Sequence, residues 1–293
     1  MVSYLFALVA LFWGNAEIQV AIPKVPKPNE TLRFRMVQEM NIQMSMQDSD
    51  QQAAQPAPEV TKMLGKTTFA FTQKTGTRTR QGRVPVDITY DQILVERSVN
   101  GRPAPGEGLG SDLVGQTVSL TYDKDGKIVD VKVPPGLDMS PDALKEMITS
   151  LMGSLPEGSL RIGEVATMPF STPLPVPSPN GEEMKMAGQS RYTLVALTRE
   201  GTDRIAEFRQ DIEAKLITVA EMPLPSGPGK VHISFKLSGG GTLRLNIDKG
   251  VIRSADVQSA ISGDMYMTAA GSDQKLHSMQ LQGTTKTSAS STP

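Results

Sequence analysis

Leu32-Arg33-Phe34-Arg35-Met36-Val37-Gln38-Glu39-Met40-Asn41-Ile42-Gln43-Met44-Ser45-Met46 is the stretch whose reading decides the fold. Leu32, Phe34, Met36, Met40, Ile42, Met44 and Met46 fall on even positions, while Arg33, Arg35, Glu39, Asn41, Gln43 and Ser45 fall on odd ones. Period two means a β-strand with one wet face and one buried face. Val37 and Gln38 interrupt the pattern and predict a bend or bulge. At ~3.3 Å per residue the run reaches roughly 50 Å. Ordinary strands are shorter; strands of this length suit the curved sheets of barrels and half-barrels.

Working outward, further strands are expected at Thr67–Thr72, Val84–Tyr90 and Gln92–Val99, followed by a Gly/Pro loop from Asn100 to Gly115. Thr117–Val133 reads as a hairpin turning at Asp123-Lys124-Asp125-Gly126. One amphipathic helix is expected over about 140–153. Ser140 is its N-cap, Pro141 its first residue and Gly153 its stop, and Leu144, Met147, Ile148, Leu151 and Met152 form its apolar stripe. A dozen residues do not hold a helix alone in water, so the stripe needs an apolar surface to cover. Prolines 156, 169, 173, 175, 177 and 179 exclude a central strand there and predict an extended crossover. Strands resume at Arg191–Thr198, Asp203–Thr218, Lys230–Leu237, Gly241–Ile247, Val251–Val257, Asp264–Ala269 and Lys275–Gln282.

The hairpin recurs. Thr117-Val118-Ser119-Leu120-Thr121-Tyr122-Asp123-Lys124 matches Thr242-Leu243-Arg244-Leu245-Asn246-Ile247-Asp248-Lys249, each followed closely by Gly and Ile. Two readings stay open: the common chemistry of Asp-Gly hairpins, or two related β lobes. The expected organisation is a signal peptide (1–16), an extended Pro/Lys leader (17–30), an N-terminal β lobe plus helix (31–155), a Pro-rich crossover (156–180), a C-terminal β lobe (181–282) and a disordered Ser/Thr tail (283–293). The fold class is therefore mainly β: a curved antiparallel sheet or half-barrel with one helix laid over it.

Composition bounds the function. The 293 residues carry 30 Lys+Arg against 31 Asp+Glu, which gives no basic footprint for nucleic acid. From Tyr4 to Trp13 runs an apolar stretch too short to span a bilayer and suited to a signal-peptide core, with Gly14-Asn15-Ala16 as its cleavage site. There is no cysteine, hence no disulfide and no thiol chemistry. Export to a bacterial periplasm or beyond is expected, with no transmembrane segment in the mature chain. The single tryptophan, Trp13, lies in the leader, which leaves little aromatic surface for a sugar or single-strand platform.

The motifs assemble no catalytic constellation. There is no Gly-x-Ser-x-Gly elbow, and the Ser272-x-x-Lys275 spacing sits in a turn context. His232 and His277 lie in separate predicted strands without a companion nucleophile. Asp123-x-Asp125-Gly126 lacks the remaining ligands of a calcium loop, and Gly65-Lys66-Thr67 lacks the first glycine of a phosphate loop. Met44-Ser45-Met46, Met184-Lys185-Met186 and Met265-Tyr266-Met267 each put two thioethers on one strand face. Thioethers bind copper(I), yet core packing explains methionine more simply.

The layout of signal peptide, long strands, Leu120…Asp123…Gly126 hairpin, short helix, Pro-rich link near Pro175-Val176 and new strands at Tyr192-Thr193-Leu194 resembles a family of exported bacterial β-rich proteins of unknown function. It is also similar to the half-barrel superfamily of periplasmic lipoprotein carriers. That resemblance implies a curved sheet whose apolar concave face takes acyl chains, with no functional residue to carry over. The expectation is a non-enzymatic binder of a lipid or lipoprotein acyl chain, without cofactor. Its lining would come from Leu32, Phe34, Met36, Met40, Ile42, Met44, Met46, Leu144, Met147, Ile148, Leu151 and Met152. The alternatives are an envelope structural or interaction module that pairs through a sheet edge, and methionine-based copper(I) binding.

Overall fold

The structure is a computed structural model that describes residues 19–23, 25–48, 59–104, 111–134, 140–142, 145, 158–173, 185–224, 227–269 and 275–293. These form fourteen strands: β1 (Gln19–Ala21), β2 (Thr31–Asp48), β3 (Glu59–Thr75), β4 (Val84–Val99), β5 (Arg102–Pro103), β6 (Thr117–Tyr122), β7 (Ile128–Lys132), β8 (Ser159–Arg161), β9 (Val165–Pro173), β10 (Lys185–Glu200), β11 (Asp203–Leu224), β12 (Gly227–Asn246), β13 (Val251–Ala269) and β14 (Lys275–Thr292). Every pairing is antiparallel. One 12-stranded sheet runs β7-β6-β4-β3-β2-β14-β13-β12-β11-β10-β9, with β5 beside β4, and β1 pairs with β8 in a small second sheet. Two up-and-down meanders are thus joined where β14 pairs with β2, from His277↔Asp48 to Thr292↔Arg33. β7 and β9 are the sheet's edges.

β2 is the strand the alternation predicts, but without a bulge: it pairs with β3 in unbroken register through Val37 and Gln38. Bulges fall elsewhere, at Ala70/Phe71 against β4, at Leu194/Ala196 and at Arg244/Leu245. The β4–β5 turn is Asn100-Gly101, with φ 52 and 76. Two left-handed residues in a row give a two-residue hairpin whose twist matches that of the strands.

All three hydrophobic clusters lie on one face of the large sheet, the core face. The first joins Tyr192, Leu194, Ala206, Phe208, Leu243, Leu245 and Ile247 to Val20, Ile22 and Leu160 of the small sheet and leader. The second joins Val84, Val86 and Ile88 to Val118, Leu120 and Tyr122, with Val25 packed against it. The repeated hairpin therefore supplies equivalent core positions to the two clusters. Val118, Leu120 and Tyr122 match Leu243, Leu245 and Ile247 in sequence, and all six are buried. The leader spans both clusters and is pinned by the amides of Ile22 to the Gly158 carbonyl (2.9 Å), Lys27 to that of Lys249 (2.8 Å) and Asn29 to that of Thr75 (2.9 Å). The third cluster, Met186, Ala214, Val231, Ile233 and Phe235, lies at the opposite end of the long strands.

Between the ends neighbouring strands come too close for a side chain. A Cβ added at Gly241 would run into the Asp256 carbonyl and lie 2.7 Å from the Val257 Cα of the neighbouring strand, and one at Gly239 would meet Ser259 in the same way. Only glycine permits this approach. The Gly239-Gly240-Gly241 run therefore does not separate two strands, as the sequence suggests. It lies within a single strand, β12.

Further corrections follow. No helix lies over the sheet among the described residues: apart from strands and one short 3-10 turn, Ser111–Leu113, only Pro141, Asp142 and Lys145 have helical backbone, and all three are exposed. The expected helix over 140–153 is withdrawn from the fold. Ser140, Pro141, Asp142 and Lys145 are exposed, and Leu144, Met147, Ile148, Leu151 and Met152 lie outside the described residues. Its local start signals are genuine, but they cannot by themselves supply the apolar partner that so short a helix needs. Residues 283–292 are not a disordered tail but the second half of β14, ordered by pairing with both β2 and β13. Residues 165–173, assigned to the crossover, form an edge strand, where proline is tolerated. The proposed signal segment 1–16 lies outside the described residues, and no described helix is long and apolar enough to cross a membrane.

Candidate functional site

Because register is continuous from strand to strand, the core face can be followed row by row. At the end covered by the leader, Leu32 is 3% exposed, and Phe34 stacks on Phe71 at 4.9 Å between centroids. One row further along, Met36 pairs with Phe69, which faces Ile93. A polar, glycine-rich waist follows: Gln38 opposite Thr67 and Thr287, then Met40 opposite Gly65 and Thr285, whose hydroxyl is 2.7 Å from that of Ser259. On the other side of the waist Gln210 donates to the Tyr192 hydroxyl at 2.9 Å. Beyond it the face turns apolar again: Ile42 opposite Met63, Met44 opposite Leu281, and Met46 opposite Met279.

Period two in β2 thus reports a real face. It brings Leu32, Phe34, Met36, Met40, Ile42, Met44 and Met46 onto one surface, but not to one fate. Leu32 is buried, Phe34 to Met44 are half-buried, and Met46 is 64% exposed. The partners Met63, Phe69, Leu281 and Met279 carry no signal of their own in the sequence, whereas Met265 and Met267 stand out there only as a thioether pair on one strand face. Their strands alternate too, but with Gly, Ser and Thr on the core face, which dilutes the hydrophobic signal. The methionines offered a usable sign: each strand methionine whose side chain is described, from Met36 to Met279, lies on the core face.

The opposite face carries the ion pairs, with Val60, Leu64, Leu94, Ile217 and Val219 exposed among them. Lys286, Glu39, Lys66 and Glu96 stand opposite one another across β14, β2, β3 and β4, with Lys66 and Glu39 3.4 Å apart. They line a shallow cleft of about 520 Å³ that also takes in Asn41, Leu64, Ser98 and Gln258. Exposed pairs of this kind set register more than stability. At the leader end Glu200 bridges Arg253 (3.0 Å) and Arg244 (2.6 Å), and these two hydrogen bonds hold its carboxyl below its ordinary value. Asp203 is lowered by the Asn246 amide and by Lys249. Burial acts in the other direction on tyrosine, pushing the Tyr122 phenol up to about 12 and raising Tyr192 and Tyr90. The Gln73 amide nitrogen, on the core face between Leu32 and Ile88, is buried without a partner among the described residues.

The two histidines part company. His232 is on the polar face, stacked on Tyr266 at 4.5 Å with Lys275 over the same ring at 4.3 Å, while His277 is on the core face opposite Met267. Asp123 accepts hydrogen bonds from the amides of Asp125 and Lys127, both at 2.9 Å, which makes it the cap of a hairpin turn.

No protein-family profile matches the chain, and no curated relative matches it. Among solved structures, the crystal structure of the P. putida toluene transporter TodX aligns over 90% of both chains with 11% identity and a TM-score of 0.16, a likeness too loose to carry an argument about fold or function.

Proposed function

We propose that the open part of the core face, beyond the waist, binds an elongated apolar ligand such as a lipid or acyl chain, and that the protein does so outside the cytoplasm of a bacterium. The observation that carries this reading is the contrast along β2: Leu32 is buried beneath the leader, while on the same face Ile42 and Met44 are half-buried and Met46 is exposed, with no described element over them. A contiguous apolar surface left open marks an interaction site. Methionine suits it, because an unbranched, polarizable side chain repacks around ligands of varying shape. The waist of Gln38, Thr67, Thr285 and Gln210 offers polar groups for the ligand's head.

The edge-pairing alternative draws less support. β9 carries Pro169 and Pro173, and β7 is short and carries Asp130 and Lys132. Both are devices that discourage strand addition.

The test is organic extraction of the purified full chain followed by mass spectrometry, together with titration by a fluorescent fatty acid. Bound lipid and saturable probe binding are expected, with binding lost in Ile42→Asp and kept in Val60→Asp on the polar face. Lipid-free protein that ignores the probe sinks the proposal.

A further inference from the structure

The far rim of the core face carries a second chemistry. β2, β14 and β13 place Met46, Met279 and Met265 directly opposite one another, so three thioethers stand in one cross-strand row. Directly opposed side chains have Cβ atoms about 5 Å apart, within the reach at which three flexible methionines converge on one ion. The next row outward sets Met267 opposite His277 on the same face. Four thioethers and an imidazole therefore occupy two adjacent rows of three strands.

Packing explains part of this arrangement but not all of it. Met265, Met267 and Met279 rest against the Val231, Ile233 and Phe235 cluster. Met46 completes the row yet is 64% exposed, so burial does not account for its presence. What the residues share is a soft donor atom. Thioethers favour copper(I), whereas zinc, calcium and magnesium prefer imidazole, thiolate or oxygen ligands. The chain has no cysteine to compete for a soft ion. The half-buried flank of the row removes part of the ion's water, and its exposed flank gives a route of entry.

We infer that Met46, Met265 and Met279 form a copper(I) site at the rim of the sheet, with Met267 and His277 as neighbouring donors one row out. The inference is independent of the lipid proposal, since it depends on sulfur rather than on apolar area. It is tested on the full chain, without oxygen, by competition for copper(I) held by a chromogenic chelator, with silver(I) as a redox-inert second probe. The wild-type chain is expected to withdraw stoichiometric metal. Met279→Leu and Met46→Leu nearly conserve volume. Each is expected to weaken binding at least about tenfold while leaving the circular dichroism spectrum unchanged. Met36→Leu, on the same face but beyond the waist, is expected to bind as wild type. Failure of the wild-type chain to take metal from the chelator, or equal weakening in Met36→Leu and Met279→Leu, overturns the site. Ile42→Asp separates the two proposals, because it is expected to abolish acyl binding and spare the metal.

Discussion

The two ends of the core face are written in the same alternation and finish differently. At one end the leader and the β1–β8 pair lie over Leu245, Leu194, Phe208 and Val118, all of which are sealed from water. At the other, the third cluster is buried around Ile233 and Phe235, while Met44 and Met46 of β2 continue the same face half-buried and exposed, with no described element above them. Alternation therefore says which side of a strand is apolar, and the surroundings of each strand decide whether that side becomes core or stays available.

The comparison can be broken by substitution. Leu245→Ala at the sealed end leaves a cavity under the leader and is expected to cost about 3–4 kcal/mol, against under about 1 kcal/mol for Met44→Ala at the open end, both read from urea midpoints. Similar losses at the two positions would mean that the open end is as packed as the sealed one. Alkali probes the seal next. The folded state holds the Tyr122 proton more tightly, with a value raised from 10.0 to about 12. The associated stability is complete below the unfolded value and is lost as pH rises through the folded one, a drop of about 2.7 kcal/mol in full and about 2 kcal/mol by about pH 11.5. Urea midpoints at about pH 9 and about pH 11.5 should diverge in the wild type and much less in Tyr122→Phe. At the glycine-rich waist that separates the ends, Gly241→Ala forces the Asp256–Val257 backbone aside, with an expected loss of about 2 kcal/mol. The smallest effect has the opposite sign. Gln73→Met removes an unpaired buried donor from the sealed end and should raise stability by about 1 kcal/mol; a loss instead would show that the amide has a partner in solution.

Much of the architecture was legible. Period two in β2, the Asp-Gly hairpins and the mainly β class follow from side-chain alternation and turn chemistry, and the repeated hairpin was visible as sequence before it appeared as matched core positions. What stayed hidden depends on distant partners. Gly283 to Thr292 reads as a loose tail because Ser, Thr, Gly and Ala bury little. In the sheet those small residues lie opposite Ile42, Met40 and Met36, and backbone pairing on both sides supplies the order that side chains do not. The triple glycine likewise reads as a break until the neighbouring strand is seen to occupy the space of the missing side chains. For the candidate site, β2 was visible because its residues are large. Met279 stands alone in a polar strand and the Met265/Met267 pair lies in another, and only the register assembles Met279 and Met265 into a row with Met46.

The joint between β14 and β2 has a consequence for how the molecule is made. β2 is synthesised early and β14 late, so the central pair of the sheet is also its most distant in sequence. Closing so wide a loop is entropically slow, and until it closes each half-sheet presents a long raw border, β2 on one side and β13 on the other. A nascent chain stalled before β14 would offer both borders to its neighbours. Whatever escorts this polypeptide must therefore shield them until translation has passed the last strand.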